Sequence, residues 1–134
     1  MATDQPIPDE LTYLLTTDIP AHVAYVAPDG SVRIVIMWVD YDGEHVLTSS
    51  RLGSYKGRVW RKNPQAAVSV VDKQNMWGFV TVSGRVTEIK PDTGLAFIDK
   101  MSRRYTGADY RFRDFEREIF VITPDRISAS TGRR

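Results

Sequence analysis

Apolar and polar residues alternate along several short stretches of this chain, which is the pattern of β-strands buried on one face. Turn-forming residues, such as the Pro-Asp-Gly-Ser run at 28–31, separate these stretches. The predicted strands cover residues 22–27, 32–41, 44–49, 65–71, 77–89 and 118–123. Because short turns join most neighbouring strands, the pattern predicts a mainly β protein with six antiparallel strands.

Helical segments interrupt the strands at three places. Residues 8–16 and 91–105 carry apolar side chains at helical spacing, and residues 55–62 follow Ser54, a typical N-cap. The remaining segments, 109–117 and 124–134, predict a helical turn and a polar tail. We therefore expect a β protein with helical insertions after its third and fifth strands.

The second predicted strand is apolar on both faces. One face carries Val32, Ile34, Ile36 and Trp38, and the other carries Val35, Met37 and Val39. A strand in an antiparallel hairpin normally has one solvated face, so a second apolar face needs a cover of its own. A partner subunit or an aromatic ligand would provide that cover.

Composition restricts the classes of function. The 134 residues amount to one domain, 1–134, and 18 basic against 17 acidic side chains give a net charge of +1. The absence of cysteine excludes thiolate metal sites and cysteine nucleophiles. His22 and His45 have no acidic or cysteine partner at ligand spacing, so we expect no metal site.

Location and macromolecular partners follow from the same numbers. The N-terminus lacks a basic and apolar secretion signal, and no stretch approaches the roughly 20 apolar residues of a membrane span. We therefore expect a cytoplasmic protein without membrane contact. Arginines and aromatic residues interleave at 103–113, but the near-neutral net charge predicts a solvated face and no nucleic-acid partner.

Residues 48–62 carry the clearest chemical signal. They combine hydroxyl side chains at a strand end, a glycine-containing loop, a capped helix start and basic residues at 51, 56, 58, 61 and 62. Free N–H groups at a helix start, together with basic side chains, favour an anion such as phosphate. A solvated basic helix face is the alternative that composition alone would favour.

A family resemblance supports the phosphate interpretation. The run at 54–64 and the following strand at 66–72 resemble the signature of the pyridoxamine 5′-phosphate oxidase-like family. The segments at 22–31, 82–89 and 105–107 also resemble that family, although Val59 and Trp60 stand where it often has Asn and Leu. The resemblance implies a homodimeric split β-barrel that binds FMN or the deazaflavin coenzyme F420.

The resemblance also implies a set of cofactor-binding residues. The phosphate would be held by Ser50, Ser54, Tyr55 and Lys56. The ring would be lined by Arg33, Val35, Met37, Thr48 and Ser49. Arg58 and Arg61 would contact the phosphate or an acidic tail, and Trp77 and Phe79 of a second subunit would close the site.

These expectations lead to an oxidoreductase that transfers a hydride between the cofactor and a small unsaturated substrate, with no catalytic side chain assigned. Coenzyme F420 is favoured over FMN because the basic helix continues to Arg61 and Lys62, which suits an acidic tail. A non-catalytic protein that binds a cofactor, haem or tetrapyrrole is the alternative. A purely structural or interaction role is the third hypothesis.

Overall fold

Seven antiparallel strands form one sheet in the computed structural model of the protein, which describes residues 6–132. The strands are β1 Ala21–Val26, β2 Val32–Met37, β3 Val39–Tyr41, β4 Val46–Arg51, β5 Gln65–Val71, β6 Gly78–Pro91 and β7 Arg117–Thr131. Their order across the sheet is β2-β1-β5-β6-β7-β4-β3. The mainly β class is confirmed.

Short helices flank the sheet. They are a 3₁₀ turn at Asp9–Leu11 followed by α1 Tyr13–Thr16, then α2 Tyr55–Lys62, and finally a 3₁₀ turn at Thr93–Leu95 that leads into α3 Ala96–Thr106. None of these helices of residues 6–132 has the length and apolar character that a membrane crossing requires. Residues 1–5 lie outside the described residues. They belong to the N-terminal segment in which we expect no secretion signal.

The prediction of six strands is wrong because the stretch at 32–41 breaks at Trp38. β2 pairs with β1, whereas β3 pairs with β4 at the opposite edge of the sheet. Only Trp38 separates the two strands, so the sheet must bend until its edges meet at this residue. Within the described part of the chain no strand pairing joins the two edges, and the sheet is open there rather than a closed barrel.

Several predicted boundaries also differ. Residues 124–131 were expected to form a polar tail, but they extend β7 and pair with β6 as far as Thr131 opposite Gly78. Main-chain pairing to a long neighbour needs no apolar side chains, which explains why the hydrophobic pattern misses it. Pro91 ends β6 and does not begin a helix, and residues 109–116 contain neither helix nor strand.

α2 is held against the sheet by an aromatic anchor. Trp60 is buried, its ring packs edge-on against Phe120 with centroids 4.9 Å apart, and its indole N–H donates to the carbonyl of Gln65 at 3.1 Å. Trp60, at the position where the sequence departs from the family pattern, therefore anchors the helix. The inward valines of β1, β5 and β6 complete the core beneath it.

Gly57 allows close contact between α2 and β7. A Cβ at this position would lie 2.9 Å from Glu118 Oε2, 3.1 Å from Ser54 Oγ and 3.3 Å from Phe120 Cζ. Glu118 is only 3% exposed and is held by Arg61, so its carboxylate has little room to move. A side chain here would push the helix away from the strand.

We therefore expect Gly57→Ala to lower the free energy of unfolding by about 1–2 kcal/mol, because overpacking outweighs the better helix propensity of alanine. Urea denaturation measures the change. Lys62→Ala, at an exposed position of the same helix, should stay within about 0.5 kcal/mol of wild type. An unchanged or raised stability for Gly57→Ala would contradict this packing.

Candidate functional site

A cleft of about 540 Å³ opens where the end of β4, the start of α2, α3 and the bend at Trp38 come together. Its polar end is lined by Ser49, Ser50, Arg51, Lys56 and Arg117. Its apolar end is lined by Pro20, Ile36, Met37, Trp38, Phe97, Ile98, Met101 and Tyr110. The cleft thus combines a charged end with an aromatic and aliphatic wall, as small-molecule sites do.

The polar end holds three cations without a carboxylate. Arg51 and Arg117 are directly opposite each other on β4 and β7, and Lys56 projects from the first turn of α2. Of the described residues that line this cleft, none carries an acidic side chain. Like charges opposite each other on paired strands destabilise the sheet, so this arrangement lowers the stability of the fold.

Burial increases that cost. Burial lowers the pKa of Lys56, and the neighbouring charge of Arg117 lowers it further. Burial also lowers the pKa of Arg117 and Arg51 adds to the lowering, while Tyr110 and Asp92 act in the opposite direction. Positive groups that are both desolvated and close together favour an anion between them, because an anion stabilises their charged forms.

Hydroxyl groups surround these cations. Ser49 Oγ accepts a hydrogen bond of 3.1 Å from Arg117 Nε, which leaves the serine proton free to donate. Ser50 is buried beside it at the strand end. The polar end can therefore offer two guanidinium groups, one ammonium group and hydroxyl donors to one anion, which suits a phosphate.

Aromatic rings form the opposite wall. Trp38 is stacked on Tyr105 with centroids 5.2 Å apart and an interplanar angle of 13°, and Tyr110 meets Trp38 edge-on at 6.3 Å. The hydroxyl of Tyr105 donates to the carbonyl of Ile19 and fixes the stack from below. A flat, mostly apolar ring could lie against this wall while its anionic end reaches the cations.

Four of the predicted site residues line this cleft: Met37, Ser49, Ser50 and Lys56. Thr48 lies behind them, fully buried, and its hydroxyl donates to the carbonyl of Trp38 at 2.9 Å. Ser54 accepts from the backbone N–H of Gly57 and acts as the helix cap. The cofactor roles of these residues stay predictions.

The other predicted residues lie outside the cleft. Arg33 is exposed and donates to Ser31, Val35 packs against the core, and Tyr55 contacts both Tyr25 and Arg58 at the surface. Trp77 is exposed before β6 and Phe79 is half-buried within it. Trp77 and Phe79 lie outside this chain's own cleft, and their contact with the cleft of a second subunit stays a prediction.

Arg61 lies in a second cleft, of about 610 Å³, on the other side of Arg117. Its guanidinium makes two hydrogen bonds to the buried carboxylate of Glu118, at 2.6 and 3.0 Å. In the same cleft Arg113 pairs with Asp99, and Asp92 caps α3. Although this cleft is larger, acidic side chains line it, namely Asp92, Asp114, Glu116 and Glu118, so the three-cation cleft is the better anion site.

Sequence reasoning missed Arg117, Tyr110, Phe97 and Met101 as cleft residues. The sequence predicts a helical turn at 109–117 and a solvated face for the arginine and aromatic residues at 103–113, and neither prediction places Tyr110 or Arg117 in a cleft. Arg103, Arg104 and Arg113 indeed pair with Asp109, Asp40 and Asp99. Arg117 differs because its place opposite Arg51 depends on the pairing of β4 with β7, which no local pattern reveals.

Within residues 6–132, no three His, Cys, Asp or Glu side chains are grouped so that they could hold a metal ion. His45 pairs with Asp42 in the turn before β4 at 3.0 Å.

Comparison with known proteins identifies the class. The sequence profile of the family described as pyridoxamine 5′-phosphate oxidase matches residues 7–131, nearly the whole chain. The protein therefore belongs to this family, as the sequence resemblance implied. No curated protein matches the chain.

Solved structures agree with the family assignment. A structure described as an F420 reductase is 32% identical, with a TM-score of 0.83, and the match covers 91% of this chain and 98% of the other. An FAD-binding protein of Mesorhizobium loti is 20% identical, with a TM-score of 0.62 and coverage of 92% and 94%. HupZ of Group A Streptococcus is 16% identical, with a TM-score of 0.67 and coverage of 93% and 94%. The last two likenesses show the fold alone.

The cost of the cation cluster leads to a stability prediction. We expect Lys56→Met to raise the free energy of unfolding of the ligand-free protein by about 0.5–1 kcal/mol, because it removes a desolvated charge. The gain should be complete at neutral pH and fade in alkaline solution. There the folded protein loses the Lys56 proton at a lower pH than the unfolded chain does, so the penalty shrinks from the lowered pKa upward and is gone above the ordinary lysine value.

Denaturation curves at several pH values measure this difference. Lys62→Met, on the exposed side of the same helix, is the matched control and should show no comparable gain. If Lys56→Met destabilised the ligand-free protein at neutral pH, the charge would have a partner that the cleft geometry does not show.

Proposed function

We propose that this protein is an oxidoreductase that binds coenzyme F420 or FMN in the three-cation cleft and transfers a hydride to or from a small unsaturated substrate. The observation that carries the proposal is the acid-free group of Arg51, Lys56 and Arg117 beside an aromatic wall. Family membership and the likeness to an F420 reductase support it.

The chain's own residues would bind and orient the cofactor. Lys56 and Arg117 would hold the phosphate, with hydroxyls of Ser49 and Ser50 as further donors. Met37 and the Trp38 bend would support the ring. The cofactor, when bound, supplies the hydride chemistry, and the protein excludes water and fixes geometry.

Coenzyme F420 is the better candidate of the two cofactors, but the structural reason differs from the reason that the sequence suggests. Arg61 is engaged by Glu118, so it is a poor partner for an acidic tail. Arg51 is exposed at the rim of the cleft and stacks 3.4 Å above the Phe115 ring, where it is available to an anion beyond the phosphate. FMN, which ends at its phosphate, remains the alternative.

We also propose a homodimer that works in the cytoplasm. Ile34 and Ile36 of β2 are 65% and 67% exposed, and Val32 beside them is equally open. The neighbouring β1 and β5 present small side chains, Ala24 and Ala67, in register with Ile34. A flat apolar face of this kind is typical of a protein interface, and Trp77 and Phe79 would approach the partner's cleft across it.

Cofactor titration tests the binding site. We expect Lys56→Gln and Arg117→Gln each to weaken F420 or FMN binding by about 1.5–3 kcal/mol, at least ten-fold, because each removes a charge-assisted contact to the phosphate. Fluorescence titration of the purified protein measures both dissociation constants. Lys62→Gln removes the same charge outside the cleft and should change the constant less than two-fold.

The outcomes separate the hypotheses. If neither cofactor binds the wild-type protein, the oxidoreductase proposal is wrong. Binding without reduction or oxidation of any electron acceptor would favour the non-catalytic alternative instead.

The dimer has a separate test. Ile34→Glu should shift the protein from dimer to monomer in light scattering, because it places a charge in the centre of the proposed interface. Leu52→Glu, at an exposed apolar position away from this face, should leave the mass unchanged. A wild-type protein that is monomeric at micromolar concentration would contradict the proposed interface.

A further inference from the structure

The segment between α3 and β7 has no helical or strand structure and contributes residues to both clefts. We call residues 107–116 the strap. It contributes Tyr110 to the wall of the cleft, and its neighbour Phe112 packs against Tyr110 at 5.7 Å. An irregular segment that shapes a binding site needs fixed anchors, since its own backbone pairing does not hold it.

One carboxylate anchors the strap. Asp99 of α3 is only 6% exposed, and its oxygens accept from the backbone N–H of Tyr110 at 3.0 Å and from both Arg113 nitrogens at 2.8 and 3.1 Å. Arg113 also donates to the carbonyl of Tyr110 at 2.9 Å. Asp99 and Arg113 therefore hold the main chain of Tyr110 from both sides.

Tyr110 in turn positions Arg117. The Arg117 guanidinium lies 4.9 Å from the centroid of the Tyr110 ring, and its Nη1 donates to the tyrosine hydroxyl at 3.4 Å. On its other side, Nε donates to Ser49. No carboxylate of residues 6–132 pairs with this arginine, so the ring and the serine hold it in the cleft.

We propose that Asp99 is a positioning residue for anion binding: through Arg113 and Tyr110 it holds the Arg117 guanidinium at the phosphate end of the cleft. This inference rests on the proposed function, because it concerns the affinity of the same cleft for the cofactor phosphate. Asp99 does not itself line the cleft and cannot contact the ligand. Its effect is transmitted through the strap.

A second ion pair on the strap provides a matched control. Arg103 pairs with Asp109 at 2.5 Å, and both side chains are well exposed. Neither side chain of this pair makes a hydrogen bond to Tyr110, Arg113 or Arg117, although their charges act on the pKa values of Asp99 and Arg113. Asp109→Asn therefore removes the same charge from the same region without breaking a hydrogen bond in the chain of contacts that leads to the cleft.

The experiment compares Asp99→Asn with Asp109→Asn, using FMN and F420 as probes in fluorescence titrations and inorganic phosphate in ³¹P NMR line broadening. We expect Asp99→Asn to weaken binding about five-fold, because an amide releases Arg113 and loosens Tyr110. Asp109→Asn should stay within about two-fold of wild type. Thermal unfolding curves confirm that each variant is folded.

Coupling to Arg117 distinguishes positioning from a general structural role. If Asp99 acts through Arg117, the double variant Asp99→Asn, Arg117→Gln should bind no more weakly than Arg117→Gln alone. The affinity for the anion should also depend less on ionic strength in Asp99→Asn than in wild type, because the Arg117 charge is no longer held at the phosphate end of the cleft. Arg117→Gln should show the same weaker dependence.

Additive losses, or an unchanged dependence on ionic strength, would overturn the inference. Should Asp99→Asn fail to fold, Arg113→Gln removes the other half of the anchor and carries the same test. If wild-type protein binds phosphate but neither cofactor, the proposed function is wrong, while the coupling of Asp99 to Arg117 is still measured with phosphate.

Discussion

The organisation of this molecule depends on an unfavourable arrangement of charge. Three cations converge in one cleft without an acidic partner, although elsewhere arginines of the same chain are paired with carboxylates, such as Arg61 with Glu118 and Arg104 with Asp40. Bringing these three cations together without a carboxylate has a cost in stability. Such a cost is typical of functional sites, where the ligand supplies the missing countercharge.

The rest of the fold positions those cations. Trp60 and Gly57 hold α2 against β7, which brings Lys56 beside Arg117. The bend at Trp38 joins the two edges of the sheet and, with Tyr105, gives the cleft its flat wall. Each of these contacts joins residues far apart in sequence, so the site exists only when the whole sheet has formed.

The local elements of this architecture could be predicted from the sequence. The bounds of α2 and β5 and the Ser54 cap follow from spacing and composition, and the structure confirms them. The break at Trp38 and the continuation of β7 to Thr131 could not be predicted, because both depend on pairing with distant strands. Arg117 could not be predicted as a cleft residue for the same reason, because its position depends on its neighbour Arg51 on the paired strand β4. Family resemblance predicted a set of site residues, and the geometry separates those that line the cleft, such as Lys56, from those engaged elsewhere, such as Arg61.

A crystal structure of the protein with F420 or FMN bound tests the central claim most directly. The account predicts that the cofactor phosphate lies within hydrogen-bonding distance, about 3 Å, of Lys56 Nζ and the Arg117 guanidinium, with the ring beside Trp38. A phosphate bound in the second cleft next to Arg61, with Lys56 and Arg117 still unpaired, would contradict it.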